Sequence, residues 1–541
     1  MGSERQQGTR MVGPSPTACP LTVASAMDRV VRTNPDAPAV VDGYYRFNYR
    51  ELDEAVRRLV TQLREEGVAP GMRVALMTLP SAMHMVAWLA LVRLGALPLA
   101  LHTRESHAAL ASVCDAFDVA LLIHDASLDA AAAGIAACLP AGLRRMRVRS
   151  GAAAADASGS DGVTEANFEA YPPASDLPRL AEDDPAVIIL SSGTTSLPKG
   201  IVHTHRNLIE AARSGVAMFG HTGPGARGIV PYSTAFTGCY ISWFPFLHAG
   251  GCNVFLEQFD LERYAATIRQ ERITHMSLTP TMWRKLLAMM PDPSSYISIR
   301  LASFAAEPMD SATLARIRDI VTPHVVQAYG STETLGLVTV NAAADMAGER
   351  LLSVGRPFPG TEVRLMAEDG VHPVAQGEIG EIWVNSPSVA AGIWNNPALE
   401  AKVLHSDGEC RWWRSGDLGR FDAEGFLFLE GRRDDMIISG GINILPAAIE
   451  EALLQHPHVA EAAVVGIKDS GWGELPHAFI IRASDDLDAE ALDRFIRQSS
   501  LSDYQRPRAY HFVEALPYTA TNKLNRKALR EAGVPSATSQ P

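Results

Sequence analysis

From Tyr49 to Gly67 the apolar residues Leu52, Val56, Leu59 and Leu63 recur every three or four positions, and Gly67 follows the last of them. That spacing puts four side chains on one stripe of an α-helix, and a glycine just beyond the stripe is a common stop. A different pattern surrounds this helix. Val74–Thr78, Val119–Ile123 and Ala186–Leu190 are short continuous apolar runs, as buried strands are. Helix and strand signals alternate in this way to about residue 340, which predicts a layered α/β architecture with parallel sheets. The most apolar stretch, residues 85–101, is interrupted by Arg93, Gly95 and Pro98. It therefore reads as a buried helix and strand, not as a membrane span.

The texture then changes twice. From Thr361 to Val384, short strand-like runs separated by glycine turns predict a small β subdomain. After Gly431 come a helix over 447–454, strands over 462–467 and 478–481, and a helix around Leu492, Phe495 and Ile496. These predict a smaller, separate α+β unit at the C-terminal end. Residues 151–162, rich in Ala, Ser, Gly and Asp, read as a surface loop. Residues 1–20 are polar and lack a continuous apolar core, so a flexible leader is expected there and not a secretory signal.

Composition narrows the function. At 541 residues the chain exceeds one ordinary hydrophobic core. Its 47% hydrophobic and 20% charged content is that of a soluble globular protein. A formal charge of −13 argues against a nucleic-acid partner, which needs a basic footprint, but allows a locally positive pocket. The six cysteines are scattered with no pair at metal-ligand or redox spacing, so a reducing, cytoplasmic setting without a zinc-type site is expected.

The candidate chemistry begins where the run Ala186–Leu190 ends, at Ser191-Ser192-Gly193-Thr194-Thr195-Ser196-Leu197-Pro198-Lys199-Gly200. A hydroxyl-rich turn leaving a buried strand can aim backbone N–H groups and hydroxyls at a phosphate, with Lys199 adding positive charge. It departs from the usual P-loop, which has glycine before the lysine and Ser or Thr after it. Further along stand Tyr329-Gly330-Ser331-Thr332-Glu333, Ser415-Gly416-Asp417-Leu418 and Gly431-Arg432-Arg433-Asp434-Asp435. Ser439-Gly440-Gly441-Ile442-Asn443-Ile444 and Pro517-Tyr518-Thr519-Ala520-Thr521-Asn522-Lys523 complete the set. In this order and at these separations the segments resemble the acyl-adenylating superfamily of acyl- and aryl-CoA ligases, luciferases and peptide-synthetase adenylation domains. The resemblance spans roughly residues 22–530.

That resemblance implies adenylation of a small-molecule carboxylic acid by ATP, release of pyrophosphate, and transfer of the acyl group to a thiol. It implies an N-terminal adenylation domain over 21–433 and a mobile lid over 434–541, with Asp434 as the hinge. Ser191, Ser192, Gly193, Thr194, Thr195 and Lys199 would hold the β- and γ-phosphates. Tyr329 and Gly330 would face adenine, Thr332 the α-phosphate, and Glu333 a Mg²⁺ ion bridging the phosphates. Asp417 would accept the ribose hydroxyls, beside Arg432. Ala306, Glu307 and Pro308 resemble the adenine-side turn, although Ala305 stands where many members have glycine. Lys523 would be the lid's catalytic lysine, with Asn522 replacing the usual preceding glycine. Gly440 and Gly441 would line a thiol channel, though a plain hairpin turn also accounts for them.

The acid pocket is expected from Tyr232, Ser233, Thr234, Phe236, Ser303, Phe304, Ala305, Ser331 and Leu335. The segment 231–238 has no aspartate to pair an α-amine, and it lacks the histidine that many CoA ligases carry there. Tyr232, Phe236, Phe304 and Leu335 point to an aryl or short-to-medium acyl group. Ile201-Val202-His203-Thr204-His205 is similar to the corresponding run of benzoate- and acetate-type ligases. Coenzyme A is the expected acceptor. The phosphopantetheine of an acyl-carrier protein acting in trans is the alternative, or a nitrogen nucleophile such as an amine or nitrite. A non-catalytic nucleotide binder would not need Thr194, Lys199, Thr332, Glu333, Asp417, Arg432 and Lys523 together. A monomer or homodimer without a membrane span is expected.

Overall fold

The computed structural model describes residues 21–148, 163–191, 197–307, 309–408, 410–499, 501–518 and 524–532. The expected helix forms as Tyr49–Glu65, closed at its start by a reciprocal Asn48/Glu51 capping box. Leu52, Val56, Leu59 and Leu63 are all buried along it, and Gly67 turns the chain at φ +75°. The apolar stretch becomes the helix Ala82–Leu94 and the strand Leu97–Ala100, buried at every position. Arg93 is tolerated there because it ion-pairs with Asp53 and Asp28; removing both partners would leave a buried charge uncompensated.

Two sheets organise the larger domain. In the first, the strands Pro185–Ser191, Leu97–Ala100, Arg73–Met77, Val119–Asp125, Arg145–Val148 and Thr164–Glu165 run parallel. Lys199–Thr204 folds back antiparallel on Pro185–Ser191, and Gly392–Ile393 closes that edge. In the second, Pro38–Val41, Cys252–Phe255, Arg227–Val230, His275–Ser277, Leu301–Phe304 and Val325–Tyr329 form the parallel part. The antiparallel strands Thr339–Ala342 and Ser353–Pro357 then continue the ladder.

The region expected as a small β subdomain is not a free-standing sheet. Glu362–Met366, Gly380–Asn385, Cys410–Phe421 and Leu427–Arg432 are antiparallel, and Ser353–Pro357 hydrogen-bonds to Leu427–Arg432 across an irregular register. The ladder is thereby continuous with the parallel sheet. Strand periodicity alone cannot show this, because it carries no record of which edge a strand joins.

The smaller C-terminal domain has a five-stranded sheet built on the long hairpin Val459–Asp469 and Gly473–Arg482. The helices Pro446–Leu454 and Ala489–Arg497 cover it. Ile437, Ile449, Leu453, Val464, Ile480, Leu492 and Ile496 form its own core. Among the described residues no helix is long and apolar enough to cross a membrane.

Candidate active site

Parallel strands deliver their following loops to one side, and ligands of such sheets bind outside the carboxyl ends of the strands. The segments singled out by sequence leave such ends: 231–238 after Arg227–Val230, 305–307 after Leu301–Phe304, and 330–335 after Val325–Tyr329. The hydroxyl-rich segment 191–200 follows the end of Pro185–Ser191 in the sequence. Ser191 pairs with Lys199 across that hairpin, and Lys199 is half-buried at the first position of the return strand. Ser192, Gly193, Thr194, Thr195, Pro308 and Lys523 lie outside the described residues.

The turn after Tyr329 is tightly built. A side chain at Gly330 would place Cβ 2.3 Å from the carbonyl carbon of Gly336, so only glycine fits. The chain then makes a short 3₁₀ turn, Thr332–Thr334, and leaves it through left-handed Leu335 and Gly336 at φ +50° and +74°. Thr237 donates its hydroxyl to the Thr332 hydroxyl at 3.0 Å. His203 Nε2 lies 2.9 Å from the Thr332 carbonyl. Burial lowers the pKa of His203 to about 4, so the ring is neutral and Nε2–H is the donor. Glu333 is buried, its carbonyl accepts from Ala390 N–H at 2.8 Å, and its carboxylate has no partner among the described residues. An oxygen ligand free of protein donors suits a hard divalent cation such as Mg²⁺.

Three residues far apart in sequence converge beside that turn. The Tyr329 hydroxyl donates to Asp417 Oδ2 at 2.6 Å, and Arg432 Nη1 donates to Oδ1 at 2.7 Å. Asp417 and Arg432 are register partners on adjacent strands, and Ser415 Oγ holds the Asp417 N–H. Burial, and then the charge of Asp417, pushes the Tyr329 hydroxyl well above its usual pKa, so it remains a donor. Each Asp417 oxygen keeps a second lone pair for an incoming hydroxyl.

The residues expected around the acid divide into two groups. Tyr232, Ser233, Phe236, Ser331 and Ala305 are half-buried. The Tyr232 hydroxyl donates to the Ser277 carbonyl. Phe236 packs on His102 with ring centroids 4.7 Å apart, a neighbour that nothing in the sequence spacing reveals. Phe304, Thr234 and Leu335 depart from expectation. Phe304 is packed in the core with Trp283, Met309 and Leu314, because strand alternation sends it to the helix-covered face while Ser303 takes the other. Ser303 itself is buried and accepts from Trp283 Nε1 through its carbonyl. Thr234 spends its hydroxyl on the Thr78 carbonyl, and Leu335 joins the main core. The left-handed residue of the adenine-side turn is Ala306, at φ +75°, and not Ala305. Glu307 accepts from the Thr281 N–H and hydroxyl.

In the smaller domain, Gly440 and Gly441 form the left-handed turn of a hairpin between Ile437–Ser439 and Ile442–Ile444. The hairpin exposes Ile438 and Ile442 beside an exposed Trp472, whose carbonyl accepts from Gly440 N–H. Tyr518, in the segment leading to Lys523, has its hydroxyl pushed up to about 12 by partial burial, by its bond to Glu461, and by the charge of Glu307.

Comparison with known proteins agrees with this geometry. The model of the family described as AMP-binding enzyme matches residues 27–394, and that of the AMP-binding enzyme C-terminal domain matches residues 448–523. A feruloyl-CoA synthase of Amycolatopsis sp. is 33% identical over 93% of this chain and 97% of its own length. A 2-succinylbenzoate–CoA ligase of Bacillus licheniformis is 30% identical over 92% and 97%. The amide bond synthetase McbA from Marinactinospora thermotolerans superposes with a TM-score of 0.82 at 28% identity, covering 94% of this chain and 99% of its own. With Tyr329, Asp417 and Arg432 gathered in one place and both family models matched in order, the chain belongs to the AMP-binding enzyme family of adenylate-forming acid–thiol ligases.

Proposed function

We propose that the chain activates an aromatic monocarboxylic acid with MgATP and passes the acyl group to coenzyme A. The observation that carries this reading is the convergence of Tyr329, Asp417 and Arg432 beside the Thr332–Glu333 turn. Tyr329 and Asp417 orient adenine and ribose. The 191–199 turn holds the β- and γ-phosphates, and Thr332 donates to the α-phosphate. Glu333 would hold Mg²⁺, which would supply charge neutralisation at the phosphates. The acid's carboxylate attacks the α-phosphorus, the bond to the bridging oxygen of pyrophosphate breaks, and Lys523 neutralises charge developing between the two anions.

The acid is aromatic on this reading because Tyr232 and the tilted Phe236–His102 pair offer flat ring faces. None of Tyr232, Ser233, Phe236, Ser303 and Ala305 carries a cation to pair a second carboxylate. The similarity to a feruloyl-CoA synthase supports the same class.

Transfer to the thiol needs the lid to turn, and the contacts on either side of Asp434 support a pivot there. Arg433 bonds to Glu381 of the larger domain, where Arg414 also binds. Asp435 pairs with Arg526 and Arg530 of the lid's last helix. Asp434 itself is exposed between these two anchorages, as a hinge residue must be free to change φ and ψ. Gly440 and Gly441 then face the incoming pantetheine. The likeness to an amide bond synthetase favours an amine as the second acceptor to consider.

The test is pyrophosphate exchange with a panel of aryl, aliphatic, dicarboxylic and amino acids. Product analysis with coenzyme A, a carrier protein and free amines follows. Exchange led by aryl monocarboxylates, with coenzyme A consumed stoichiometrically, is expected. Exchange led by amino acids or dicarboxylates, or amide without thioester, overturns the proposal.

A further inference from the structure

His203 lies fully buried on the strand Lys199–Thr204, opposite Val187. Its Nε2 reaches across to the second sheet and meets the carbonyl of Thr332 at 2.9 Å, 129 residues away in sequence. The same strand begins with Lys199, and the same turn carries Glu333. Its other ring nitrogen, Nδ1, is buried with no partner, so among the described residues the ring is bound through one atom only. A buried polar side chain anchored through a single donor, between two segments that handle the same ligand, has the geometry of a spacer.

We infer that His203 is a positioning residue for adenylation, setting the separation between the phosphate-holding strand and the Thr332–Glu333 turn. The inference rests on the roles proposed above for Lys199, Thr332 and Glu333. In-line attack at the α-phosphorus tolerates little displacement of the groups that hold the phosphates. Among the described residues the Thr332 carbonyl accepts besides only the Leu335 N–H of its own turn, so His203 refers this carbonyl directly to the neighbouring strand. The backbone bridge does not repeat that task at Thr332. Ala390 N–H binds the Glu333 carbonyl and Ala391 N–H binds the Val202 carbonyl. These two bonds instead keep the segments together when His203 is changed, so the fold should survive substitution.

Three variants test it, each read by pyrophosphate exchange after the wild type has shown exchange with an aryl acid. His203→Phe keeps ring volume and removes the donor. His203→Asn is too short to reach Thr332. His203→Gln places an amide N–H near the position of Nε2. For His203→Phe and His203→Asn, kcat should fall about tenfold to thirtyfold, the kinetic equivalent of one misplaced buried hydrogen bond. KM for ATP should change less than about threefold, because the loss is confined to the transition state. His203→Gln should recover most of kcat. Unchanged kcat in both His203→Asn and His203→Phe overturns the inference, as does a folded His203→Gln that recovers nothing. A loss expressed only in KM or in thermal midpoint assigns His203 to packing and overturns it too. Wild-type protein that exchanges with no acid at all refutes the underlying functional reading instead.

Discussion

Replacing Asp417 by asparagine separates what this residue does for the nucleotide from what it does for the fold. The side chain keeps its size, and the amide oxygen can still accept from the Tyr329 hydroxyl, now 2.6 Å from Oδ2. The partner that suffers is Arg432, whose Nη1 stands 2.7 Å from Oδ1. Arg432 is 53% exposed at its side chain, so water replaces much of that interaction and the cost to stability should stay within about 1 kcal/mol. The nucleotide loses more. A carboxylate accepts two ribose hydroxyls through charge-assisted bonds, whereas an amide offers one neutral acceptor and turns an N–H₂ toward the second hydroxyl. The difference between charged and neutral bonds, about 1–3 kcal/mol in total, predicts a rise in KM for ATP of about fivefold to 150-fold. ATP titration in the pyrophosphate-exchange assay measures this, with thermal melting in parallel. A KM for ATP within about twofold of wild type would show that Asp417 does not hold the ribose. A large fall in melting midpoint with KM intact would make it purely structural.

Lys523→Ala should lower the adenylation rate by about two orders of magnitude while sparing ATP affinity, the loss typical of one transition-state electrostatic group; unaltered exchange kinetics would remove it from the mechanism. Asp434→Pro should slow thioester formation more than pyrophosphate exchange, because a fixed φ obstructs a pivot, and equal loss in both half-reactions would place the hinge elsewhere. Burial lowers the pKa of His84 to about 3 and those of His203, His205, His248 and His275 to about 4, from 6.5. The unfolded chain takes up those protons first, so their contribution is complete above pH 6.5 and is lost as pH falls toward 4. Thermal midpoints should accordingly drop between about pH 7 and pH 5, and a flat profile over that range would mean these rings are protonated in the native state.

Local pattern alone determined much of this protein. The helix Tyr49–Glu65 follows from its apolar spacing, its capping residues and the glycine beyond it. The strand Pro185–Ser191 follows from its continuous apolar run. The order of the motifs sufficed to name the family, because nucleotide chemistry demands particular residue types whatever lies between them. Tertiary structure decided the rest. Asp417 meets a tyrosine 88 positions away, and only the pairing of the strands around it brings that about. Alternation along Leu301–Phe304 puts Phe304 and Ser303 on opposite faces, but only the helices packed on the sheet settled that the Phe304 face joins the core with Trp283 and Leu314. Thr234 and Leu335 were absorbed into packing for the same reason. The reach of His203 to Thr332 joins two sheets whose relative position no spacing along the chain records. Periodicity fixes which residues share a face; what that face meets is set by long-range packing, where the free energy depends on neighbours distant in sequence.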